Sequence, residues 1–423
     1  MTSILYGRSW RPGKHVMRPS CCLLLIVIGL VYPAPVRAQA PADGGPDPAA
    51  VRVRLGPLAM IPTMGLSNLG VDKNVFNDPP GKQPREDFTA TLTPKTDLWL
   101  HVGGTWVTAA INEQIIWYQK YASERSASNA YSVGWKLPLT WLIVNTNVAY
   151  AKVRDRPGFE VDARVSRKDL AYGGSVEGRI MSKTFFGVRG ERRKVDFDQA
   201  ALFLDVNLHD ELNHVTTSSG LLLRHQITSL TSISVNATRS EDRFEFSPLR
   251  DSVSTMLGTT VTFDPFALIH GSATFGFRDF EPRSSRLPSF KGSTMAIDLS
   301  FSIYETTRFG VHAVRDIEYS YDVNQPYYLL TGFDASIAQQ IFGPFDTVLR
   351  VGEQRLAYRD RIGATINASN RTDAVHSKGL GVGYHLGKEL RLGFNLDTIH
   401  RTSVVVSRPY EGLKFGTALT YGF

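Results

Sequence analysis

Apolar and polar residues alternate along most of the chain, from about residue 58 to the last residue. The C-terminal segment shows the pattern well, because small or polar residues separate an apolar series made of Leu413, Phe415, Leu419, Tyr421 and Phe423. The same period of two recurs at residues 253–263, 295–301 and 390–396. Successive side chains of a strand point to opposite faces, so this period predicts β-strands with one apolar face.

The connections between the predicted strands alternate between short and long. Short turns are predicted at residues 93–96, 137–138, 180–183, 227–230, 264–265, 304–306, 343–344 and 386–388. Long polar loops are predicted at residues 73–86, 113–128, 154–167, 197–212, 242–251, 281–289, 322–326, 360–373 and 402–409. Eight short and nine long connections predict eighteen strands. The first strand is irregular, which leaves sixteen as the alternative.

This arrangement is typical of a transmembrane β-barrel with short periplasmic turns and long extracellular loops. In hydrocarbon every backbone N–H and C=O group must be paired, which an open sheet cannot achieve. A helical span is excluded because no run of about 18 apolar residues occurs. A propeller and a sandwich are the soluble alternatives. The sequence has no repeat of about 40–50 residues, which a propeller requires. A sandwich would have a polar outer face, whereas here one face is rich in aromatic residues. The predicted fold is all-β: a single closed antiparallel transmembrane β-barrel.

The first forty residues have the layout of a secretory signal peptide. A basic stretch precedes the apolar run 21–32, and Ala38 and Ala40 supply small residues for cleavage. The stretch before Met17 is long for such a signal, so translation is expected to begin at Met17. The chain is thus divided into a signal peptide (1–40), a periplasmic linker (41–57) and an outer-membrane barrel (58–423), and it is expected to be exported to the bacterial outer membrane.

Charge and cysteine content exclude several classes of function. The leader holds five of the 47 Lys and Arg residues and no acid, so 42 bases face 40 acids in the rest of the chain. This balance gives no reason to expect a nucleic-acid partner. Cys21 and Cys22 both lie in the leader. The remainder therefore has no disulfide, cysteine nucleophile or thiolate metal site.

The face opposite the apolar one is predicted to line the barrel. A Lys or Arg on the lipid side at mid-membrane would cost roughly 2–4 kcal/mol, which assigns the basic residues of this face to the interior. Barrels of 16–18 strands leave an aqueous passage. The predicted pore-lining residues are Arg189, Glu191, Arg278, Asp298, Asp316, Asp334, Arg350, Arg391, Asn395 and Lys414.

Aromatic residues near the strand ends suggest two further roles. Trp117, Trp135, Tyr327 and Tyr328, among others, suit interfacial girdles, whereas Trp99 falls on the lumen face. At the end of the chain, Leu419, Tyr421 and Phe423 are similar to the C-terminal signal that the barrel assembly machinery recognises. That machinery and outer-membrane lipid are therefore expected partners.

Candidate chemistry is sparse. His270 and Ser272 share a strand face and resemble the His-x-Ser pair of outer-membrane phospholipases and lipid A deacylases, but the alternation turns them inward, away from lipid. No metal-binding or cofactor motif occurs. No catalytic residue, metal or cofactor is predicted. Asp72 and Asn74 are expected to close the first strand into its loop through side chain to backbone hydrogen bonds, with cation binding as the alternative.

The amino-terminal part of the barrel resembles the putative β-barrel porin 2 family. The resemblance rests on Leu-Gly-Pro-Leu at residues 55–58, Pro62, Gly-Val-Asp-Lys-Asn-Val-Phe at residues 70–76, and Leu-Thr-Pro at residues 92–94, with Val71 where a tyrosine is expected. It implies a large outer-membrane barrel associated with exopolysaccharide systems, with polysaccharide and export-complex proteins as partners. It implies no catalytic residue.

The leading functional hypothesis is an outer-membrane channel that serves surface polysaccharide export or passive solute passage. A non-conducting structural or binding barrel of an outer-membrane assembly is the second hypothesis. A lipid-modifying outer-membrane enzyme that uses His270 and Ser272 is the third.

Overall fold

A computed structural model describes residues 51–263, 268–304, 306–364, 366, 368–387 and 389–422. The predicted signal peptide, most of the predicted linker and Phe423 lie outside the described residues. Within this part of the chain, eighteen antiparallel strands close into one barrel, which confirms the predicted fold class and strand count. No helix among these residues is long and apolar enough to cross a membrane.

The wall follows chain order, and each strand pairs with the next one in the barrel. The wall strands are β2 (Leu58–Asp72), β3 (Asp87–Val102), β4 (Thr105–Tyr118), β5 (Ser126–Pro138), β6 (Leu142–Asp155), β7 (Val165–Met181), β8 (Thr184–Phe197), β11 (His214–Gln226), β12 (Thr231–Phe244), β13 (Ser252–Phe263), β14 (Ile269–Pro282), β15 (Phe290–Ile303), β16 (Thr307–Tyr319), β17 (Tyr327–Phe342), β18 (Phe345–Arg359), β19 (Thr372–Leu386), β20 (Leu390–Thr402) and β21 (Tyr410–Tyr421).

Small elements complete the fold. β1 (Val53–Leu55), within the predicted linker, pairs with the start of β2. β9 (Leu202–Phe203) and β10 (Val206–Asn207) form a hairpin in the loop after β8, followed by the five-residue helix Leu208–Leu212. Short 3₁₀ turns occur at Ala122–Glu124 and Pro248–Arg250.

The barrel closes where β2 pairs with β21. A bulge between Leu66 and Leu69, with Asn68 at φ 51°, lies in this seam. The extra residue of a β-bulge allows the apolar Leu66 and Leu69, three positions apart, to share the outer face. Above the bulge, Gly70 pairs with Gly416.

The end of β2 is closed into its loop by the predicted side chain to backbone bonds. Oδ1 of Asp72 accepts a hydrogen bond from the backbone N–H of Asn74 at 3.0 Å. Asn74 Nδ2 donates to the carbonyl of Glu411 at 2.8 Å, and its Oδ1 accepts from the N–H of Asp78 at 2.8 Å. These bonds tie the first loop to the last strand.

One predicted turn is wrong. Residues 93–96 lie inside β3, which continues to Val102, and the turn to β4 is formed by Gly103 and Gly104. Pro94 has no N–H and interrupts the ladder to β4, but the register resumes unchanged from Leu92–Ile115 to Lys95–Asn112. Gly103, at φ 58°, has the conformation that the tight turn requires. β4 consequently extends to Tyr118, into the predicted loop 113–128.

Over the middle of the wall, the side chains of the outer face are apolar and exposed. One cross-strand row consists of Val176, Val188, Leu221, Leu257 and Phe277, with Ala237 between the third and fourth. The five larger side chains are 41–59% exposed. An exposed apolar band of this kind is what contact with lipid requires. The buried clusters lie instead at the long-loop end, inside the barrel.

Candidate functional site

Antiparallel partners in register share a face of the sheet, so the ladder of pairs assigns each wall residue to the inside or the outside. The inner face is the one that contacts the inserted loop described below, and Tyr358 and Arg401 lie on it. All ten residues predicted to line a pore lie on this face: Arg189, Glu191, Arg278, Asp298, Asp316, Asp334, Arg350, Arg391, Asn395 and Lys414.

The inner wall carries both signs of charge. Of its predicted bases, Arg278, Arg350, Arg391 and Lys414 form ion pairs, and Arg189 donates a hydrogen bond to the Thr238 hydroxyl. Three of the predicted bases form ion pairs with inner-face carboxylates: Arg350–Asp397 at 2.8 Å, Arg278–Asp316 at 3.1 Å and Lys414–Asp72 at 3.0 Å. Asp334 accepts a hydrogen bond from Gln354 Nε2 at 2.7 Å. The wall therefore offers alternating donors and acceptors rather than one net charge.

Exposure separates two groups among these residues. Arg189 and Asp298 are exposed, and the Lys414 side chain is 39% exposed, so water reaches this part of the inner face. Arg391 is only 3% exposed. Its Nε donates to Asp346 Oδ2 at 2.7 Å, and its Nη2 bonds the other carboxylate oxygen. Arg391 thus contributes to the wall itself rather than to its wetted surface.

The connection between β6 and β7, residues 156–164, folds into the barrel and is called here the inserted loop. Its Phe159 packs against a buried cluster on the inner faces of β17 and β18, formed by Tyr328, Leu330, Leu356 and Tyr358. These strands lie across the mouth of the barrel from β6 and β7. The inserted loop therefore spans the mouth instead of extending into solvent.

Two buried arginines hold the inserted loop. Arg401 on β20 is 0% exposed and donates from Nη1 to the carbonyl of Phe159 at 2.6 Å and from Nη2 to Asp373 Oδ2 at 2.7 Å. Arg408, in the loop after β20, donates to the carbonyl of Glu160. Asp162 lies 3.4 Å from each of the two guanidinium groups. Charge-assisted hydrogen bonds of this kind are the stronger ones in proteins.

The Glu160 carboxylate is bound by the opposite loop. It accepts hydrogen bonds from Ser320 Oγ at 2.6 Å and from the N–H of Tyr321 at 3.2 Å. Burial raises the pKa of the Glu160 carboxyl, because desolvation outweighs these bonds and the nearby charge of Arg408. Arg401 and Arg408 donate to the backbone carbonyls of the inserted loop and to the carboxylates of Asp162 and Asp373, and none of these bonds goes to the Glu160 carboxylate.

A second layer of loops packs over the inserted loop. Val161 belongs to a cluster with Phe203, Leu208, Leu212 and Tyr321, contributed by the loop after β8 and the loop after β16. The rings of Phe203 and Tyr321 meet edge to face at 4.9 Å. Arg250, 1% exposed, donates to the carbonyl of Ser320 at 3.0 Å and pairs with Glu211. In the described residues, loops from several hairpins therefore pack together across the mouth.

The loop end of the β16–β17 hairpin also enters the mouth. The pairs between β15 and β16 stop at Met295–Arg315, although both strands continue beyond. Ile317 and Tyr327 then pack on Phe280, which lies on the inner face of β14. This contact requires the end of the hairpin to lie inside the wall formed by β14 and β15.

This bend corrects part of the predicted aromatic girdle. Tyr327 and Tyr328 are 1% and 2% exposed and lie inside the barrel, so they do not meet lipid. Trp117 and Trp135 are outward and 40% and 37% exposed, as an interfacial girdle requires. Trp99 lies on the inner face, opposite Ala59 and Thr108.

The candidate enzyme residues lie where the alternation predicts. His270 and Ser272 are on the inner face of β14, and Ser272 is in register with Asp298. Their position faces the lumen rather than a lipid substrate. No group of three or more His, Cys, Asp or Glu side chains in the described ranges has the geometry of a metal site.

The residues that hold the inserted loop were not predicted. Arg401 and Arg391 are ten residues apart on β20, so the period of two places both side chains on the inner face. It does not show which loop Arg401 contacts. Arg408 and Asp162 lie in predicted loops, where alternation carries no information. The local signal was the apolar residues Phe159 and Val161 in a loop that was expected to be polar.

Comparison with solved structures finds outer-membrane proteins. Pseudomonas aeruginosa OccK9 (OpdG) is 11% identical with a TM-score of 0.44, and the match covers 86% of this chain and 97% of that one. Pseudomonas aeruginosa OpdK with vanillate is 9% identical with a TM-score of 0.44 over 86% and 97%. The alcaligin receptor FauA of Bordetella pertussis is 10% identical with a TM-score of 0.39 over 84% and 65%. No curated protein matches the sequence.

The family comparison covers nearly the whole described barrel. The family model described as putative beta-barrel porin 2 matches residues 47–422. This range includes the amino-terminal segment on which the resemblance was based. An outer-membrane location follows from that membership. The chain belongs to the putative β-barrel porin 2 family.

Proposed function

We propose that the protein is an outer-membrane channel for small hydrophilic solutes, with entry from the cell exterior controlled by the inserted loop. The observation that carries the proposal is the inner wall, where exposed polar side chains of both charge signs lie on strands that bury their apolar side chains in lipid. A wall of this kind replaces the hydrogen bonds that a solute makes with water, and paired charges orient it during passage.

The inserted loop supports control rather than permanent closure. The inserted loop is continuous in the chain with β6 and β7. On the far side it is held by noncovalent contacts, among them hydrogen bonds from Arg401 to the carbonyl of Phe159 and from Arg408 to the carbonyl of Glu160. These contacts are separate from the backbone ladder of the wall, so the inserted loop can open locally without loss of the barrel.

A surface polysaccharide is the second candidate permeant, and it comes from the family resemblance. A linked sugar chain is long and requires every loop over the mouth to move, including the buried Arg250 and its partners. A small solute requires a smaller displacement, of the inserted loop and of the side chains that pack on its Val161. The packing of the mouth therefore favours the smaller permeant.

Conductance in planar bilayers tests the proposal. Purified protein should conduct ions, and deletion of residues 157–163 should enlarge the single-channel conductance. Addition of oligosaccharides should reduce the current only if a sugar enters the lumen. A folded barrel that conducts neither as the full chain nor without the inserted loop would favour the structural or binding barrel, which the fully packed mouth also permits.

A further inference from the structure

The outer face of the barrel carries a basic sector at the long-loop end of β7, β8, β11 and β12. Five bases point outward there, against two outward carboxylates, Asp196 and Glu241. The bases are Lys168, Arg192, Lys194, Arg239 and Arg243, and all are exposed. On β13 to β16 the outward charges balance, with Asp279 and Glu281 against Lys291 and Arg315.

A groove of about 590 Å³ lies within this basic sector. Its walls include Arg192 and Lys194 of β8 and Arg243 of β12, while Val215 and Thr217 of β11 lie between them. The register places Lys194 opposite Val215, and Val215 opposite Arg243. Short side chains therefore form the floor, and cationic side chains flank it.

The groove retains positive charge after its ion pairs are counted. Glu241 is bound by Arg243 and by Arg283 at 2.8 Å, and Arg243 also lies 3.3 Å from Asp251, so the charges of these four residues cancel. Lys194 lies 3.9 Å from Asp196 and from Glu245, and Glu245 also lines the groove. Within the described ranges, no salt bridge of 4.0 Å or less involves Arg192 or Arg239.

The groove lies on the outer face between the long loops and the exposed apolar rows of the wall. Directly below it on the same strands lies a cross-strand row of small residues, Gly174, Gly190 and Ser219. The exposed apolar row that contains Val188 and Leu221 follows immediately beneath. The groove thus opens at the level where lipid headgroups meet the acyl chains, and the small residues leave a shallow path between the two.

We infer that the groove binds the phosphate groups of an anionic glycolipid of the outer leaflet. The guanidinium groups of Arg192 and Arg243 and the ammonium of Lys194 match phosphate oxygens in charge and hydrogen bonding. The acyl chains would lie along Gly174 and Gly190 toward the apolar band. A soluble anion fits less well, because the groove faces the bilayer and continues into an apolar surface.

Binding of diphosphorylated lipid A to the full-chain protein in detergent, followed by native mass spectrometry, tests this inference. The variant R192Q/K194Q should weaken binding by about tenfold or more, because two bases are lost. The matched control K291Q/R355Q removes two exposed outward bases elsewhere, Lys291 on β15 and Arg355 on β18, and should bind like the parent. R192K/K194R keeps both charges and should retain binding, which separates the loss of charge from misfolding.

Three outcomes would overturn the inference. One is unchanged binding by R192Q/K194Q, and another is an equal loss in K291Q/R355Q. The third is equal affinity for dephosphorylated lipid A. Inorganic phosphate as competitor distinguishes the sources of phosphate: it should displace little lipid if the acyl chains contribute, and complete displacement would identify a soluble-anion site instead.

Discussion

Oδ2 of Asp162 lies 3.4 Å from Nη1 of Arg401, although 239 residues separate them along the chain. Asp162 belongs to the inserted loop between β6 and β7, and Arg401 lies on β20 at the other side of the mouth. The Arg401 side chain is 0% exposed and that of Asp162 is 14% exposed, so the contact is largely shielded from solvent. Its strength decides how firmly the mouth is closed.

Substitution of Asp162 is expected to open the channel. Asp162→Asn removes the carboxylate shared by Arg401 and Arg408, and loss of one such contact destabilises the docked loop by about 1–2 kcal/mol. The open fraction in planar bilayers should rise by about 5- to 30-fold. Asp279→Asn, on the outer face and paired with Lys291, is the control and should leave the conductance unchanged. An unchanged open fraction for Asp162→Asn would remove the inserted loop as the gate.

Glu160 predicts the pH dependence of the same gate. Burial raises its folded pKa above the ordinary 4.5, so its contribution to docking is fully present below that value and is lost as pH rises through the folded pKa. The open fraction should therefore be lower at about pH 4 than at about pH 7.

The variant Glu160→Gln checks this assignment, because it is uncharged at every pH and is close in size. Its open fraction should stay near the acidic value of the parent and vary little with pH. A parent channel that closes as pH rises would contradict the predicted sign. An equal pH dependence in parent and variant would point to another titrating group.

Asp346 is expected to stabilise the wall rather than control passage. Its carboxylate accepts a bidentate pair of hydrogen bonds from Arg391, whose side chain is 4% exposed. Asp346→Ala leaves this guanidinium buried without its main partner, which should reduce the free energy of unfolding by about 3–5 kcal/mol. Asp298→Ala, at an exposed inner-face site, should change it by less than about 0.5 kcal/mol. Urea unfolding in detergent measures both, and equal effects would refute the distinction.

Closure of the barrel should depend on Gly70. A Cβ at this position would lie 2.1 Å from the carbonyl oxygen of Phe415 in the seam between β2 and β21. Gly70→Ala should therefore lower the folded, heat-modifiable fraction on gels. Gly178→Ala is the matched control, because its nearest neighbour would be 3.9 Å away. Normal folding of Gly70→Ala would show that the seam can separate to admit a methyl group.

The sequence and the structure agree on the side-chain directions along most of the wall strands, and the bent end of the β16–β17 hairpin is the exception. Arg391 and Lys414 lie inside while Phe394 and Phe415 lie outside, as their spacing predicts. Pro94 lies inside a strand that continues through the turn predicted at Thr93–Thr96, which is why that prediction is wrong. The proline removes a single hydrogen-bond donor from the ladder and leaves the path of the strand unchanged. The ten inner-face positions were assigned correctly because side-chain direction in a strand is a local property.

The sequence by itself determined the closed barrel, favoured eighteen strands over sixteen, and placed most wall residues on their face of the sheet. Backbone geometry and the need to pair every polar group in hydrocarbon leave few alternatives to a chain with this period. Only the tertiary structure decided that the inserted loop crosses the mouth, that Tyr327 and Tyr328 turn inward, and that Arg401 holds Asp162. These contacts join residues far apart in sequence, and no local periodicity encodes which loops meet once the sheet has closed.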